Sequence, residues 1–278
     1  MQFIESLIYG IVSGLTEIFP VSSQANQMVM RQLFGIPQKE PIRDLLVHIA
    51  IMIALVVSCK DQIGSINTER HLLQSSRRTS RRRSFGKAFY EYRILKTATV
   101  PLAVLLLLNI LTGSMIFNLP LLGLFFVMNG ILLIVPEHMR QANKDARELS
   151  GLDGILLGSV GALSVFPGIS RTGTSLAYCS LRGADRQKAV NWVLVLSIPA
   201  LMVLSALDIF YIATVGFAVS SFLDVLFSIF SGLASFAAAY FSFFRCPYFA
   251  LAYAINDLVL IAGKGHETYQ EINGEKHH

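Results

Sequence analysis

Stretches long and apolar enough to cross a bilayer constrain this chain more than any other feature. They run over 44–59, 94–112, 117–136, 189–213, 216–244 and, more weakly, 247–262. A helix that spans the ~30 Å hydrocarbon layer takes about 20 apolar residues. Two more segments, 5–21 and 152–181, are apolar but interrupted. Only 15% of residues are charged, against roughly 25% in an average soluble domain, and mean hydropathy is +0.56. Period-2 alternation of the barrel kind is absent. Helices satisfy their own backbone polar groups in lipid, so the chain is expected to be an all-α polytopic integral membrane protein.

Other features narrow the class. The first residues lack a basic region and carry Glu5, so they do not read as a cleavable signal. Cys59, Cys179 and Cys246 lie far apart with no CxxC or Cys/His spacing, and read as buried, inert thiols. Net charge is +5, concentrated in a basic loop over 60–93 that includes "RRTSRRR". The positive-inside rule puts that loop in the cytoplasm, along with the charged loop 137–148. No aromatics interleave the basic run, so nucleic acid is not expected as a partner.

Two interrupted segments are alike: "GIVSGLTEIFPVSSQA", 10–25, and "GSVGALSVFPGISRTG", 158–173. Each opens on Gly, reaches Phe-Pro after about ten positions, and places serine just beyond. Proline ends or kinks a helix because it lacks an N–H and crowds the preceding turn. Paired broken helices in two halves of a membrane protein point to an inverted repeat with a central site. Glu17 precedes Pro20, and Arg171 follows Pro167. An ionisable group inside the membrane normally faces the bundle interior and is paired, so each is expected to supply the other's counter-charge. Arg171, with Ser170, Thr172 and Gly173, is expected to cradle an anion, since guanidinium grips phosphate in a bidentate fork.

"GLTEIFPVSS" and "FPGISRTGTS" resemble the two signature motifs of the bacterial undecaprenyl-diphosphate phosphatase family of the bacitracin-resistance type, whose patterns are roughly EGLTEFLPVSSTGH and PGxSRSGAT. The resemblance covers about residues 1–255, as a polytopic phosphatase-like domain with two re-entrant helix pairs. It implies hydrolysis of undecaprenyl diphosphate to the monophosphate lipid carrier of peptidoglycan synthesis, in the bacterial plasma (inner) membrane. Carried over by position, Glu17, Ser22 and Ser23 are the catalytic candidates, with Ser23 the preferred nucleophile or phosphate contact. Ser170, Arg171, Thr172 and Gly173 are the phosphate-binding candidates. A divalent cation (Mg or Ca) is implied, with Glu17 as its ligand. Implied partners are a polyprenyl (di)phosphate lipid, the membrane and a second copy in a homodimer, for which no GxxxG face is singled out.

The chain departs from the family pattern at the chemical half of the site. The first motif glutamate falls at Ser13, the histidine at Asn26, and a glutamine before the second motif at Gly161. Asn26 cannot take a proton as imidazole does, and general acid–base help is worth roughly 10²–10⁴ in rate. His48, in an apolar segment, reads as a packed histidine ahead of a substitute. An alternative follows: a non-hydrolytic polyprenyl-phosphate binder or flippase on the same scaffold, or a degenerate relative. Residues 256–278, "NDLVLIAGKGHETYQEINGEKHH", resemble a C-terminal fragment of a Mur ligase. No GxxxxGK[ST] loop accompanies it, so ligase activity is not expected, and a lone strand there has no sheet to join.

Overall fold

The computed structural model describes residues 3–35, 40–78, 90–107, 119–137, 149–215, 222–243, 270–272 and 275–277. Among them are ten α-helices: α1 Phe3–Ile18, α2 Ser23–Leu33, α3 Pro41–Ser58, α4 Lys60–Arg78, α5 Tyr90–Leu106, α6 Leu119–Glu137, α7 Gly151–Gly161, α8 Arg171–Leu181, α9 Arg186–Val215 and α10 Phe222–Phe243. A 3-10 turn, Ala162–Val165, extends α7. Three of the described helices are long and apolar enough to cross a membrane: Pro41–Ser58, Arg186–Thr214 and Leu223–Ser242. Pro120–Ile134 and Gly151–Val165 are shorter apolar helices. Val100, Val127, Ile131, Met202, Phe210 and Leu233 are exposed. Exposed apolar side chains on that scale suit lipid rather than water. The chain is an all-α membrane protein.

Four helices make two hairpins. In the first, α1 ends at Phe19–Pro20 and α2 starts on its N-cap Ser22. Arg31 near the end of α2 then reaches back to Tyr9 of α1, donating to its hydroxyl from Nε (3.2 Å) and Nη2 (2.8 Å). Arg31 also pairs with Asp44 of α3. The second hairpin is built likewise. Ser150 and Asp153 form a capping box at the start of α7, satisfying amide donors that a helix start leaves open. Tyr178, late in α8, donates to Asp153 (3.0 Å), and Arg182 just beyond closes on the same carboxylate (2.6 Å).

Each hairpin leans on a parallel partner helix along a glycine stripe. A Cβ on Gly10 or Gly14 of α1 would meet the Ser231 or Ser235 carbonyl of α10 at 2.2 or 2.3 Å. Ser231 Oγ donates to the Ser6 carbonyl (2.9 Å) and Ser235 Oγ to that of Gly10 (2.8 Å). In the other half, Gly154 and Gly158 of α7 lie as close to Ile94, Thr97 and Ala98 of α5. Apolar burial does not drive helices together in lipid, so small residues and close backbone contact do that work. These two GxxxG stripes were not singled out in the sequence, and both are consumed inside the fold. The long α9 packs between α3 and α5 and contributes to both buried apolar clusters, one around Leu102, Leu157 and Trp192, the other around Ile51, Leu55 and Leu201.

Two expectations change. The basic segment is not a loop from residue 60: Lys60–Arg78 is helical, and 79–89 lie outside the described residues. Its first turns alternate charge with small and apolar residues, a pattern that helix tolerates at an interface. The tail supplies its own strand partner, Gln270–Ile272 pairing antiparallel with Glu275–His277. The intervening sequence is Asn273-Gly274, the dipeptide most favoured for two-residue hairpin connections. The apolar stretch 247–262, most of the charged loop 137–148 and Cys246 lie outside the described residues, whereas Cys59 and Cys179 are buried free thiols.

Candidate functional site

The two hairpins meet tip to tip. Arg171, the first residue of α8, pairs with Glu17 near the end of α1. Both side chains are buried, so each relieves the other of the desolvation cost of an unpaired charge. Four further bonds clasp the tips. Gly168 N–H donates to Ser22 Oγ (3.0 Å), and Thr172 Oγ1 donates to the Phe19 carbonyl (2.6 Å). Asn129 of α6 bridges both tips, donating from Nδ2 to the Pro20 carbonyl (3.2 Å) while its Oδ1 accepts from Ser170 N–H (2.9 Å).

Most of the tip hydroxyls are spent on this clasp. Ser22 Oγ caps α2, accepting from Ala25 N–H (3.4 Å) as well as from Gly168. Ser170 Oγ caps α8, accepting from Gly173 N–H (3.1 Å), and lies 3.0 Å from Thr172 Oγ1. Thr172 already donates to Phe19, so the Ser170 proton goes to Thr172. Gly173 has no room for a side chain without crowding the Pro20 carbonyl at 3.0 Å. Ser22, Ser170, Thr172 and Gly173 therefore shape the tips more than they face a ligand.

What remains open is more selective. Ser23 is half-buried and lies within reach of Glu17, while its oxygen accepts from Gln27 (3.3 Å). Arg171 Nη2 is on Glu17, but among the described residues its buried Nε has no hydrogen-bond partner, and neither has Ser175 Oγ one turn on. A buried donor left open costs about 1–3 kcal/mol, so an acceptor from a ligand or water belongs there. A Cβ on Gly161 would fall 2.7 Å from Ser175 Oγ and 3.7 Å from Arg171 Cγ. Glycine at 161 thus leaves space beside both groups.

The two weakened positions are used locally. Ser13 Oγ donates to the Tyr9 carbonyl one turn back (2.8 Å), and Asn26 Nδ2 donates to the Ser22 carbonyl (2.8 Å). His48 of α3 is not simply packed among apolar neighbours: its Nδ1 lies 2.7 Å from Asp208 Oδ2 of α9. Among the described residues, no three His, Cys, Asp or Glu side chains gather as a metal site requires. Glu17 is already held by Arg171. These donors do not make a protein-held divalent-cation site; a cation could be shared only with oxygens of a diphosphate.

Asn129 was missed in the sequence, although an amide deep inside the apolar segment 117–136, well past Asn118 at its start, was a signal that could have found it. Asn129→Leu removes both bridging bonds and leaves the Ser170 N–H and Pro20 carbonyl unpaired in an apolar setting. The expected loss is about 2–4 kcal/mol, from two buried bonds of roughly 1–2 kcal/mol each. Thermal unfolding in detergent measures it; an unchanged midpoint contradicts the bridging role.

The profile described as "Bacitracin resistance protein BacA" matches residues 6–264. The undecaprenyl-diphosphatase of Carboxydothermus hydrogenoformans is 27% identical over 210 residues, 75% of this chain and 74% of that protein. That of Thermosipho melanesiensis is 28% identical over 227 residues, 80% and 84% of the two chains. Undecaprenyl-diphosphatase 1 of Shouchella clausii is 28% identical over 211 residues, 75% of each. Paired hairpins, facing motif loops and a profile match across nearly the whole chain agree, and this chain belongs to the bacitracin resistance protein BacA family.

Proposed function

We propose that the chain is a hydrolase of undecaprenyl diphosphate, releasing inorganic phosphate and the lipid monophosphate for reuse in cell-wall synthesis. The relatives' names support the substrate. The observation that carries the reading is Arg171 at the meeting point of two broken helices. One side of its guanidinium is fixed by Glu17 and the buried Nε is left for an anion. The α8 N-terminus adds its dipole to the same place. In this proposal the protein crosses the bacterial plasma (inner) membrane several times. The lipid tail lies along the apolar helices, and every protein group used comes from one chain.

Ser23 is the nucleophile in this reading. Its Oγ attacks the terminal phosphorus, a P–Oγ bond forms, and the bridging P–O bond breaks with its electron pair leaving on the lipid monophosphate. Water then splits the phosphoserine. Ser23→Ala is expected to lower kcat by at least ~10²-fold, the lower end of what a catalytic group contributes, with lipid binding kept within about threefold. Phosphate release and equilibrium binding of a polyprenyl diphosphate check this. Equal loss of binding and turnover contradicts a nucleophilic Ser23.

One observation favours a second reading, a non-hydrolytic polyprenyl-phosphate binder or flippase. Asn26 stands where the family pattern has its imidazole, and its amide is tied to the Ser22 carbonyl. Binding without phosphate release, combined with movement of labelled lipid across vesicles, is the outcome that selects it.

A further inference from the structure

With Asn26 unable to carry a proton, hydrolysis needs another base, and a polar seam through the apolar interior leads to one. Arg31 of α2 pairs with Asp44 of α3, and one turn along α3 His48 holds Asp208 of α9 at 2.7 Å. His48 and Ser23 both lie within electrostatic reach of Glu17. The His48 and Asp208 side chains keep 14% and 19% of their surface exposed, so the pair is enclosed but not sealed. Histidine and aspartate 160 residues apart in sequence meet in a segment where each alone would be costly.

We propose that His48, oriented by Asp208, is the proton-transferring group of this site and replaces the imidazole missing at position 26. The inference rests on the hydrolytic reading above. Nδ1 faces Asp208, so the neutral ring carries its proton there and presents Nε2 as the basic nitrogen. This is the role a carboxylate plays for a catalytic histidine. As Ser23 Oγ bonds to phosphorus, its proton passes by way of Glu17 to His48 Nε2, and the Asp208 carboxylate balances the imidazolium. When water attacks the phosphoserine, the P–Oγ bond breaks and that proton returns to Ser23 Oγ. The water's hydroxyl stays on the released phosphate and its remaining proton goes to phosphate or solvent. Asp208 is a positioning residue and touches no substrate.

The test combines steady-state kinetics and lipid binding of the full-length protein in detergent, using undecaprenyl diphosphate, for wild type, His48→Gln, Asp208→Asn and His48→Gln with Asn26→His. The groups that act on His48 are Asp208 on α9, Asp44 on α3 and Glu17 on α1, with Arg31 of α2 acting on Asp208. On α10, Asp224 acts on Glu40. An imidazolium cannot accept a proton, so wild-type kcat is expected to fall on the acid side. His48→Gln is expected to lower kcat about 10²–10⁴-fold with KM and binding within threefold, and to abolish that acid limb. Asp208→Asn, close in shape, lowers kcat about tenfold or more and displaces the limb. Asn26→His in the His48→Gln background restores turnover.

His48→Gln within threefold of wild type, with its acid limb intact, overturns the inference while leaving the phosphatase reading standing. Should His48→Gln lose its fold, Asp208→Asn decides, and an unmoved limb there overturns it. Wild type that binds lipid but releases no phosphate overturns the hydrolytic reading and this inference with it.

Discussion

Arg171→Ala is expected to abolish both lipid binding and phosphate release, lowering kcat/KM by roughly 10²–10⁴. Two charge-assisted hydrogen bonds to phosphate, each worth roughly 1.5–3 kcal/mol, account for that range. The same change strands Glu17, because breaking a buried pair by removing one partner costs about 3–5 kcal/mol. A stability loss alone would then mimic a functional one, so Arg171→Lys separates the two. Lysine keeps a positive charge beside Glu17 but offers no planar fork. The variant is expected to unfold within a few degrees of wild type and still lose at least ~10-fold in kcat/KM. Lysine restoring full turnover contradicts a bidentate role for Arg171.

The second large effect concerns stability. Gly168 has φ +107°, a region L side chains rarely adopt. A Cβ there would lie 2.5 Å from Phe125 Cβ, a position too close to the backbone to swing away. Its N–H is also one of the bonds joining the tips, to Ser22 Oγ. Gly168→Ala combines backbone strain of about 1–3 kcal/mol with overpacking of about 1–3 kcal/mol. We expect a loss of roughly 3 kcal/mol or more and the collapse of turnover as the tips part. Thermal unfolding in detergent measures the first. A midpoint within two degrees of wild type contradicts the clasp.

Much of this was legible in the sequence for one physical reason: polar residues are expensive in an apolar chain and so announce themselves. Glu17 and Arg171 could be paired because Glu17 has no cation within its own segment 5–21 and Arg171 sits at the matching place in the second motif, and the structure joins them. The two Phe-Pro breaks likewise announced two hairpins. The division of labour among the hydroxyls was not legible. Ser22, Ser170 and Thr172 all follow a proline in an open-loop pattern, and the pattern does not say whether such a group faces a ligand or a helix end. Here they cap and clasp.

Other groups were hidden by distance along the chain. His48 was visible, but its partner Asp208 lies 160 residues away, and nothing in local spacing couples α3 to α9. Asn129 was one amide among aliphatic residues until both tips were seen to bond it. The glycine stripes were present in the letters, yet their role depends on which helix each faces. Gly10 and Gly14 meet serines more than 200 positions away, and that pairing is set by topology.

The most direct measurement is phosphate release from undecaprenyl diphosphate by the purified protein in detergent, with magnesium, with calcium and with chelator, alongside Arg171→Ala. The account predicts turnover by wild type, despite asparagine at position 26, and its disappearance in Arg171→Ala. Wild type that binds the lipid through Arg171 but releases no phosphate under any of these conditions contradicts it.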